Sequence, residues 1–134
     1  MKKMNVVNLD HYNIETVKSE ETVWFYSEVL GLENAPEKRP NMGGPGTWFL
    51  VAGRPAIHVN FVEEDCAGKT GAIDHIGFEA NGYREFEVHF TKHKVSYEKV
   101  ESPEINLCQL YVIDPNKIKI EMNIRGELKP KQRN

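Results

Sequence analysis

The sequence is poor in cysteine and has no long apolar run. Its 134 residues include two cysteines, Cys66 and Cys108, which form no CxxC motif. This argues against a disulfide-stapled scaffold or a cysteine-rich zinc site, so we expect both thiols to be reduced. No apolar stretch reaches the length of a membrane span, and the N-terminus lacks the apolar segment of a signal peptide. We therefore expect a cytoplasmic protein that does not bind membranes.

The sequence also lacks an excess of positive charge. The formal net charge is −3, so nothing favours binding to nucleic acid or to an anionic surface. A hydrophobic content of 40% with 28% charged residues is ordinary for a globular protein. The length suits one domain, residues 1–134, that can bury a core of its own.

What the sequence does contain is an internal repeat. Leu9-Asp10-His11 returns as Ile73-Asp74-His75, about half the chain further on. Ala56-Ile57-His58-Val59 corresponds in the same way to Lys119-Ile120-Glu121-Met122. We place the first unit at about residues 5–62, the second at about 71–124 and a polar tail at 125–134. Two copies of this length fit a paired domain better than a solenoid.

The hydrophobic pattern predicts the same element order in both units. Helical spacing covers residues 19–30 and 83–93, with Ser19 as a helix cap and Gly31 as a helix stop. Alternating patterns predict strands at 6–15, 47–52, 56–62, 73–80, 95–100, 106–113 and 117–124, and residues 36–47 form a Pro- and Gly-rich loop. The expected fold is α+β: two βαβββ repeats forming one curved, mostly antiparallel sheet with an open metal-binding cup.

Four candidate metal ligands occupy matched positions in the two units. In each predicted strand the His or Glu side chain alternates with the apolar residues, so it should lie on the face away from the helices. Imidazole and carboxylate ligands suit a divalent metal such as Zn, Ni, Mn, Co or Fe(II). The sequence therefore predicts one metal ion bound by a set of four residues, namely His11, His58, His75 and Glu121.

Other polar residues have simpler interpretations. His89 and His93 lie one helical turn apart, but we expect them on a solvated helix face. Asp10 and Asp74 could orient the histidines that follow them. Because neighbours in a strand point to opposite faces, a structural role is preferred for both. Arg39, like the adjacent Lys38 in the loop, could meet an anion or be solvated.

These motifs resemble the vicinal oxygen chelate superfamily, which includes glyoxalase I, extradiol dioxygenases, fosfomycin resistance proteins and methylmalonyl-CoA epimerase. The resemblance covers roughly residues 5–124. It rests on the ordered motifs Leu9-Asp10-His11, Trp24-Phe25-Tyr26 with Leu30-Gly31-Leu32, Ile73-Asp74-His75-Ile76-Gly77-Phe78, and Val112-Ile113-Asp114-Pro115-Asn116 with Ile120-Glu121. The usual three ligands of the superfamily fall on His11, His75 and Glu121, and a fourth falls on His58.

The resemblance implies a glyoxalase-family metalloenzyme of lyase or isomerase type. Its substrate would be a small molecule that chelates the metal through vicinal oxygens. Glu121 is the candidate catalytic carboxylate, and Tyr111 matches a tyrosine that touches substrate in some branches, although it could equally be a packed aromatic residue. The alternatives are an extradiol-type dioxygenase and a non-catalytic, bleomycin-resistance-like binding protein. The resemblance also implies a homodimer in which His11 and His58 of one chain join His75 and Glu121 of the other.

Overall fold

The computed structural model describes residue 4 and residues 8–40, 44–65 and 70–128, and its elements form two successive βαβββ units. The first unit contains strand β1 (Tyr12–Thr16), helix α1 (Ser19–Trp24, continued by a π-helical turn Phe25–Val29), and strands β2 (Glu33–Asn34), β3 (Gly46–Val51) and β4 (Arg54–Phe61). The second contains β5 (Ile76–Ala80), α2 (Tyr83–Lys92), β6 (Glu98–Ser102), β7 (Leu107–Ile113) and β8 (Lys119–Arg125). Short 3-10 turns lie at Pro36–Lys38 and Pro103–Ile105. The predicted α+β class and the βαβββ repeat are confirmed.

The strands form two four-stranded sheets instead of the single sheet expected from the sequence. Their orders are β1-β4-β3-β2 and β5-β8-β7-β6. In each unit the first and last strands pair in parallel and the remaining pairs are antiparallel. The two sheets are therefore equivalent, and the ends of β1 and β5 occupy the same place in each.

Local sequence chemistry explains most of the element boundaries. Ala52 and Gly53 both have positive φ, 50° and 78°, as a two-residue type I′ hairpin between β3 and β4 requires. Gly31, at φ 70°, ends the first helical segment as predicted. The helix cap differs from the prediction, because Lys18 holds the cap position and Ser19 is the first helical residue.

The core lies between the helices and the inner faces of the two sheets. Tyr26 and Phe90 from the helical segments are fully buried, as are Phe49, Ile57, Leu110 and Ile120 from the strands. Cys108 is a buried free thiol, consistent with the expected reduced state, while Cys66 lies outside the described residues. No helix in the described part of the chain is long and apolar enough to span a membrane.

A polar turn of the second unit, residues 114–116, forms hydrogen bonds with the first unit. The buried carboxylate of Asp114 accepts a hydrogen bond from the Tyr26 hydroxyl at 2.9 Å. Asn116 accepts one from the Thr16 hydroxyl at 2.6 Å and donates one to the Thr22 hydroxyl at 3.0 Å. These groups are buried, so their mutual hydrogen bonding is what makes burial tolerable. The turn thus supplies a set of buried polar contacts between the two units.

The first residues of the predicted tail are part of the fold. The Glu127 carboxylate accepts hydrogen bonds from the backbone N–H groups of Gly82 at 2.8 Å and Tyr83 at 3.1 Å. It therefore caps the start of α2, where unpaired N–H groups favour a negative charge. From its sequence the polar tail is expected to be frayed, which is wrong for Glu127, and residues 129–134 lie outside the described part.

Candidate metal centre in two halves

His11 and His58 form the first half of the candidate metal site. His11 directly precedes β1, and His58 lies on β4 opposite Asn13. The two imidazole rings stack with centroids 3.8 Å apart and an interplanar angle of 13°. Trp48, the cross-strand partner of His58, stacks on its other side at 4.3 Å. His58 is thus held between two flat rings, and both candidate ligands of the first unit meet on one face.

His75 and Glu121 form the second half. His75 directly precedes β5, and Glu121 lies on β8 opposite Gly77. The Nε2 atom of His75 is 3.5 Å from Oε2 of Glu121. The repeat therefore brings its candidate ligands together in pairs, one pair in each unit.

Each leading histidine is oriented by the aspartate before it. Nδ1 of His11 donates to Asp10 at 2.6 Å, and Nδ1 of His75 donates to Asp74 at 2.9 Å. The preferred structural role for these aspartates is therefore wrong. The argument from alternation does not apply, because β1 and β5 begin after both Asp–His pairs. Donation from Nδ1 leaves Nε2 as the nitrogen with a free lone pair, as in carboxylate–histidine–metal triads.

The Glu121 carboxylate is held by three neighbouring side chains. Its Oε1 accepts hydrogen bonds from the Tyr111 hydroxyl and the Gln109 amide, both at 2.8 Å. Its Oε2 accepts a longer bond of 3.2 Å from Asn123. Burial alone would raise the pKa of Glu121, but the bonds from Tyr111 and Asn123, together with the charges of His75 and Lys119, lower the pKa. Glu121 is thus held as a carboxylate, with Oε2 the freer oxygen.

Sequence reasoning missed Gln109 and Asn123. The pattern could have indicated Asn123, because it lies two residues after Glu121 and therefore shares its face of the strand. Gln109 is the cross-strand partner of Asn123 and also donates to it at 3.0 Å. Tyr111, predicted as a catalytic candidate, contacts the carboxylate itself, and burial raises the pKa of its phenol.

His58 differs from His11 and His75 in which ring nitrogen donates a hydrogen bond. Its Nε2 donates to the backbone carbonyl of Pro55 at 2.9 Å, which leaves Nδ1 with the lone pair. Burial, followed by electrostatic repulsion from His11, lowers the pKa of His58. The neutral imidazole that a metal requires is therefore favoured.

The fold has clear counterparts among solved structures. A protein from Bacillus anthracis assigned to the glyoxalase family matches with TM-score 0.73 and 22% identity, covering 93% of this chain and 100% of that one. The fosfomycin resistance protein FosX from Listeria monocytogenes matches with TM-score 0.71 and 16% identity over 92% and 97% of the two chains. A lactoylglutathione lyase from Agrobacterium tumefaciens matches with TM-score 0.64 and 16% identity over 90% and 96%. This chain has the glyoxalase fold. No protein-family model matches the sequence, and no curated protein does.

Within this glyoxalase fold the four predicted ligands remain divided between the two units. Among the described residues, no three His, Cys, Asp or Glu side chains form a group able to hold a metal ion. The chemistry of the donors nevertheless fits a divalent metal. Nε2 of His11, Nε2 of His75 and Oε2 of Glu121 are left available by their neighbours, and neutral imidazole with carboxylate suits metals of the Fe(II)–Zn(II) series.

Open cavities lie beside the second half. One of about 510 Å³ is bordered by Tyr111 and by Lys119, whose ammonium lies 5.0 Å from the centre of the Tyr111 ring. Another of about 420 Å³ is bordered by His75, Tyr12 and the apolar side chains of Leu9 and Ile73. Both volumes are in the range of small-molecule sites.

The histidine pair at the C-terminal end of α2, His89 and His93, has a packing role. Nε2 of His89 donates to the backbone carbonyl of Glu28 at 2.6 Å, and the ring of His93 lies 6.4 Å from that of Trp24. Both histidines are half-buried, so the predicted solvated face is instead a contact between α2 and the first helical segment.

Proposed function

We propose that the chain is a metal-dependent enzyme of lyase or isomerase type whose site is completed by a second copy of the chain. His11 and His58 of one copy would join His75 and Glu121 of the other around one divalent metal ion. The observation that carries the proposal is the pair of equivalent half-sites, each with an aspartate that orients its leading histidine. A carboxylate–histidine pair of this kind is typical of histidines that bind a metal.

Exposed apolar side chains support the pairing of two copies. Leu9 is 73% exposed and Ile73 is 63% exposed, and each stands two residues before a candidate ligand. A second chain that brought its own half-site into register would cover both side chains. Twofold dimers are also the commonest oligomers, and the equivalence of the two units suits such symmetry.

The substrate would be a small molecule with two adjacent oxygen atoms. A bound divalent metal acts as a Lewis acid toward such oxygens. Glu121, held as a carboxylate by Tyr111 and Gln109, would bind the metal through Oε2. The phenol of Tyr111 borders the 510 Å³ cavity and would face the substrate there. Lactoylglutathione lyase and FosX share the fold, which makes isomerase, lyase or addition chemistry reasonable starting assays.

One contact favours a second candidate function. The bond from His58 to the Pro55 carbonyl occupies Nε2, so His58 could remain beside the metal without binding it. His11, His75 and Glu121 would then form a facial triad of two histidines and one carboxylate, which suits Fe(II) and O₂. An extradiol-type dioxygenase is the activity that this arrangement supports.

A complementation experiment tests the shared site. The His11→Ala/His58→Ala protein and the His75→Ala/Glu121→Ala protein should each bind little zinc. After the two are unfolded and refolded together, half of the dimers will be mixed and each mixed dimer should hold one intact site. Bound zinc, measured by mass spectrometry of the intact mixed dimer, is expected at one ion per dimer. A monomeric mass at micromolar concentration, or mixed dimers without zinc, would refute the shared site.

A further inference from the structure

Arg39 places a guanidinium group on the same face as the first half-site. Its Nη2 donates to Oδ1 of Asn60 at 3.1 Å, and its Nη1 donates to the backbone carbonyl of Gly44 at 2.9 Å. Asn60 lies two residues after His58 on β4, so the two side chains share one face of the sheet. The arginine therefore reaches from the loop after the first helical segment to the open face where His11 and His58 stack.

The guanidinium of Arg39 lies over Gly46 of β3, a position without a side chain. Gly46 is the cross-strand partner of Asn60, and a Cβ atom there would lie 2.9 Å from both Cζ and Nε of Arg39. The same atom would lie 2.3 Å from the backbone oxygen of Val59. Glycine thus leaves the space that the guanidinium occupies. Arg39 is half-buried and hydrogen-bonded at both Nη atoms, and is not a fully solvated loop charge.

The charge of Arg39 has no carboxylate partner within the described part of the chain. None of the ion pairs among the described residues includes it, and its two hydrogen-bond acceptors are both neutral. A guanidinium has further N–H groups in a planar fork, which matches carboxylate and phosphate oxygens. Lys38, its neighbour, is exposed. Lys99, by contrast, pairs with the carboxylate of Glu87.

We propose that Arg39 binds an anionic group of the substrate, a carboxylate or a phosphonate-type group, beside the His11–His58 half-site. The substrate class is then a small anion that carries vicinal oxygens for the metal at one end and negatively charged oxygens at the other. This inference rests on the proposed function for the identity of the bound molecule as substrate. The anion site itself stands on the Arg39, Asn60 and Gly46 geometry.

A first experiment needs no metal. In nuclear magnetic resonance spectra of the metal-free protein, the Nε–H signal of Arg39 is assigned by its loss in Arg39→Lys. Titration with inorganic phosphate and with acetate should shift this signal saturably, while the signal of the exposed Arg84 moves little. The Lys38→Met protein, which loses the same charge from the same loop, should give the same titration. An Arg39 signal that responds to neither anion, or no more than that of Arg84, overturns the proposal.

A second experiment links the anion site to the metal. Acetohydroxamate chelates metals through vicinal oxygens without a further charge, and phosphonoacetohydroxamate and malonohydroxamate add a phosphonate and a carboxylate respectively. The zinc-loaded protein should bind at least one charged chelator about tenfold more tightly than acetohydroxamate, as expected for a charge-assisted hydrogen bond. Arg39→Met should abolish this preference and leave the affinities for zinc and acetohydroxamate unchanged, whereas Lys38→Met should retain it.

The outcomes separate the two proposals. Equal affinities for all three chelators in the unaltered protein, or a preference that survives Arg39→Met, refute the role of Arg39 while leaving the metal site intact. Absence of zinc binding refutes the proposed function, and the phosphate and acetate titrations then still decide whether Arg39 is an anion site. A preference for the phosphonate over the carboxylate, or the reverse, identifies the anion.

Discussion

The carboxylate of Asp114 accepts its hydrogen bond from Tyr26 in a place from which water is almost excluded: Asp114 is 4% exposed and Tyr26 is fully buried. The bond crosses from the second unit to the first, and the backbone N–H groups of Asn116 and Ile118 donate to the other carboxylate oxygen at 2.8 Å each. This turn therefore links the unit that carries one half-site to the unit that carries the other. We therefore expect this buried contact to contribute to the stability of the fold.

Tyr26→Phe should destabilise the protein by about 1–3 kcal/mol at neutral pH, because it leaves one buried carboxylate oxygen without its donor. Burial raises the pKa of Asp114, and the Tyr26 bond opposes this rise, so its loss raises the pKa further. A carboxyl with a raised folded-state pKa loses stabilising free energy as pH rises above its unfolded value. The destabilisation should thus be larger at pH 7 than near pH 4 in urea unfolding.

Tyr97→Phe is the matched control for this prediction. The Tyr97 hydroxyl also donates to a carboxylate, that of Glu87 at 2.8 Å, but near the surface. Water can replace the lost donor there, so its effect should be much smaller and nearly independent of pH. Equal effects of the two substitutions would contradict the role assigned to Tyr26.

Gly77→Ala tests how closely the second half-site is packed. A Cβ atom at Gly77 would lie 3.0 Å from Oε2 of Glu121 and 3.4 Å from the amide nitrogen of Asn123. The carboxylate must then shift by a few tenths of an ångström, and we expect metal affinity to fall by about tenfold, at the lower end of such effects. Gly44→Ala, where nothing lies within 4 Å, should leave zinc affinity measured by competition with a chelating dye unchanged.

Tyr111→Phe distinguishes positioning from catalysis at the second half-site. If the phenol chiefly holds Glu121, its removal should raise the pKa of that carboxyl and weaken zinc binding by about ten- to a hundredfold. The loss should then be larger at pH 5 than at pH 7, because protons compete with the metal for Glu121. Unchanged zinc affinity with reduced turnover would instead assign Tyr111 a direct role toward the substrate.

Much of this arrangement follows from the sequence, because a repeat preserves spacing and alternation together. The βαβββ order and the common facing of His11, His58, His75 and Glu121 follow from the period-two rule applied to both units. The grouping of these residues into two pairs came from the resemblance to the vicinal oxygen chelate superfamily. The period-two rule did not predict the contacts of Asp10 and Asp74, because these residues precede strands β1 and β5 and do not follow strand alternation. The division into two sheets depends on which strands pair across the whole chain, and such long-range pairing leaves no local pattern. The capping of α2 by Glu127 is hidden from the sequence for the same reason.

Whether His58 binds the metal distinguishes the two proposed functions, a lyase or isomerase and a dioxygenase. The hydrogen bond of His58 shows which ring nitrogen could bind. To bind a metal through Nε2 it must give up the Pro55 carbonyl, whereas Nδ1 is available without that loss. As a fourth protein ligand it would leave at most two open positions in an octahedral site. A substrate bound through two oxygens would fill both positions and exclude O₂ from the metal. Lyase or isomerase chemistry would then follow.

His58→Ala should weaken zinc retention if His58 is a ligand, and we expect this outcome because His58 and Glu121 occupy equivalent places in the two units. His89→Ala, which removes an imidazole from the helix contact, is the control and should retain full zinc. Circular dichroism must show both variants folded, since the stack of His58 with Trp48 contributes to the sheet face. Full zinc occupancy in His58→Ala with a loss of turnover would reverse the assignment. His58 would then be an acid or base beside a triad of His11, His75 and Glu121, and oxygen uptake with Fe(II) would become the activity to measure.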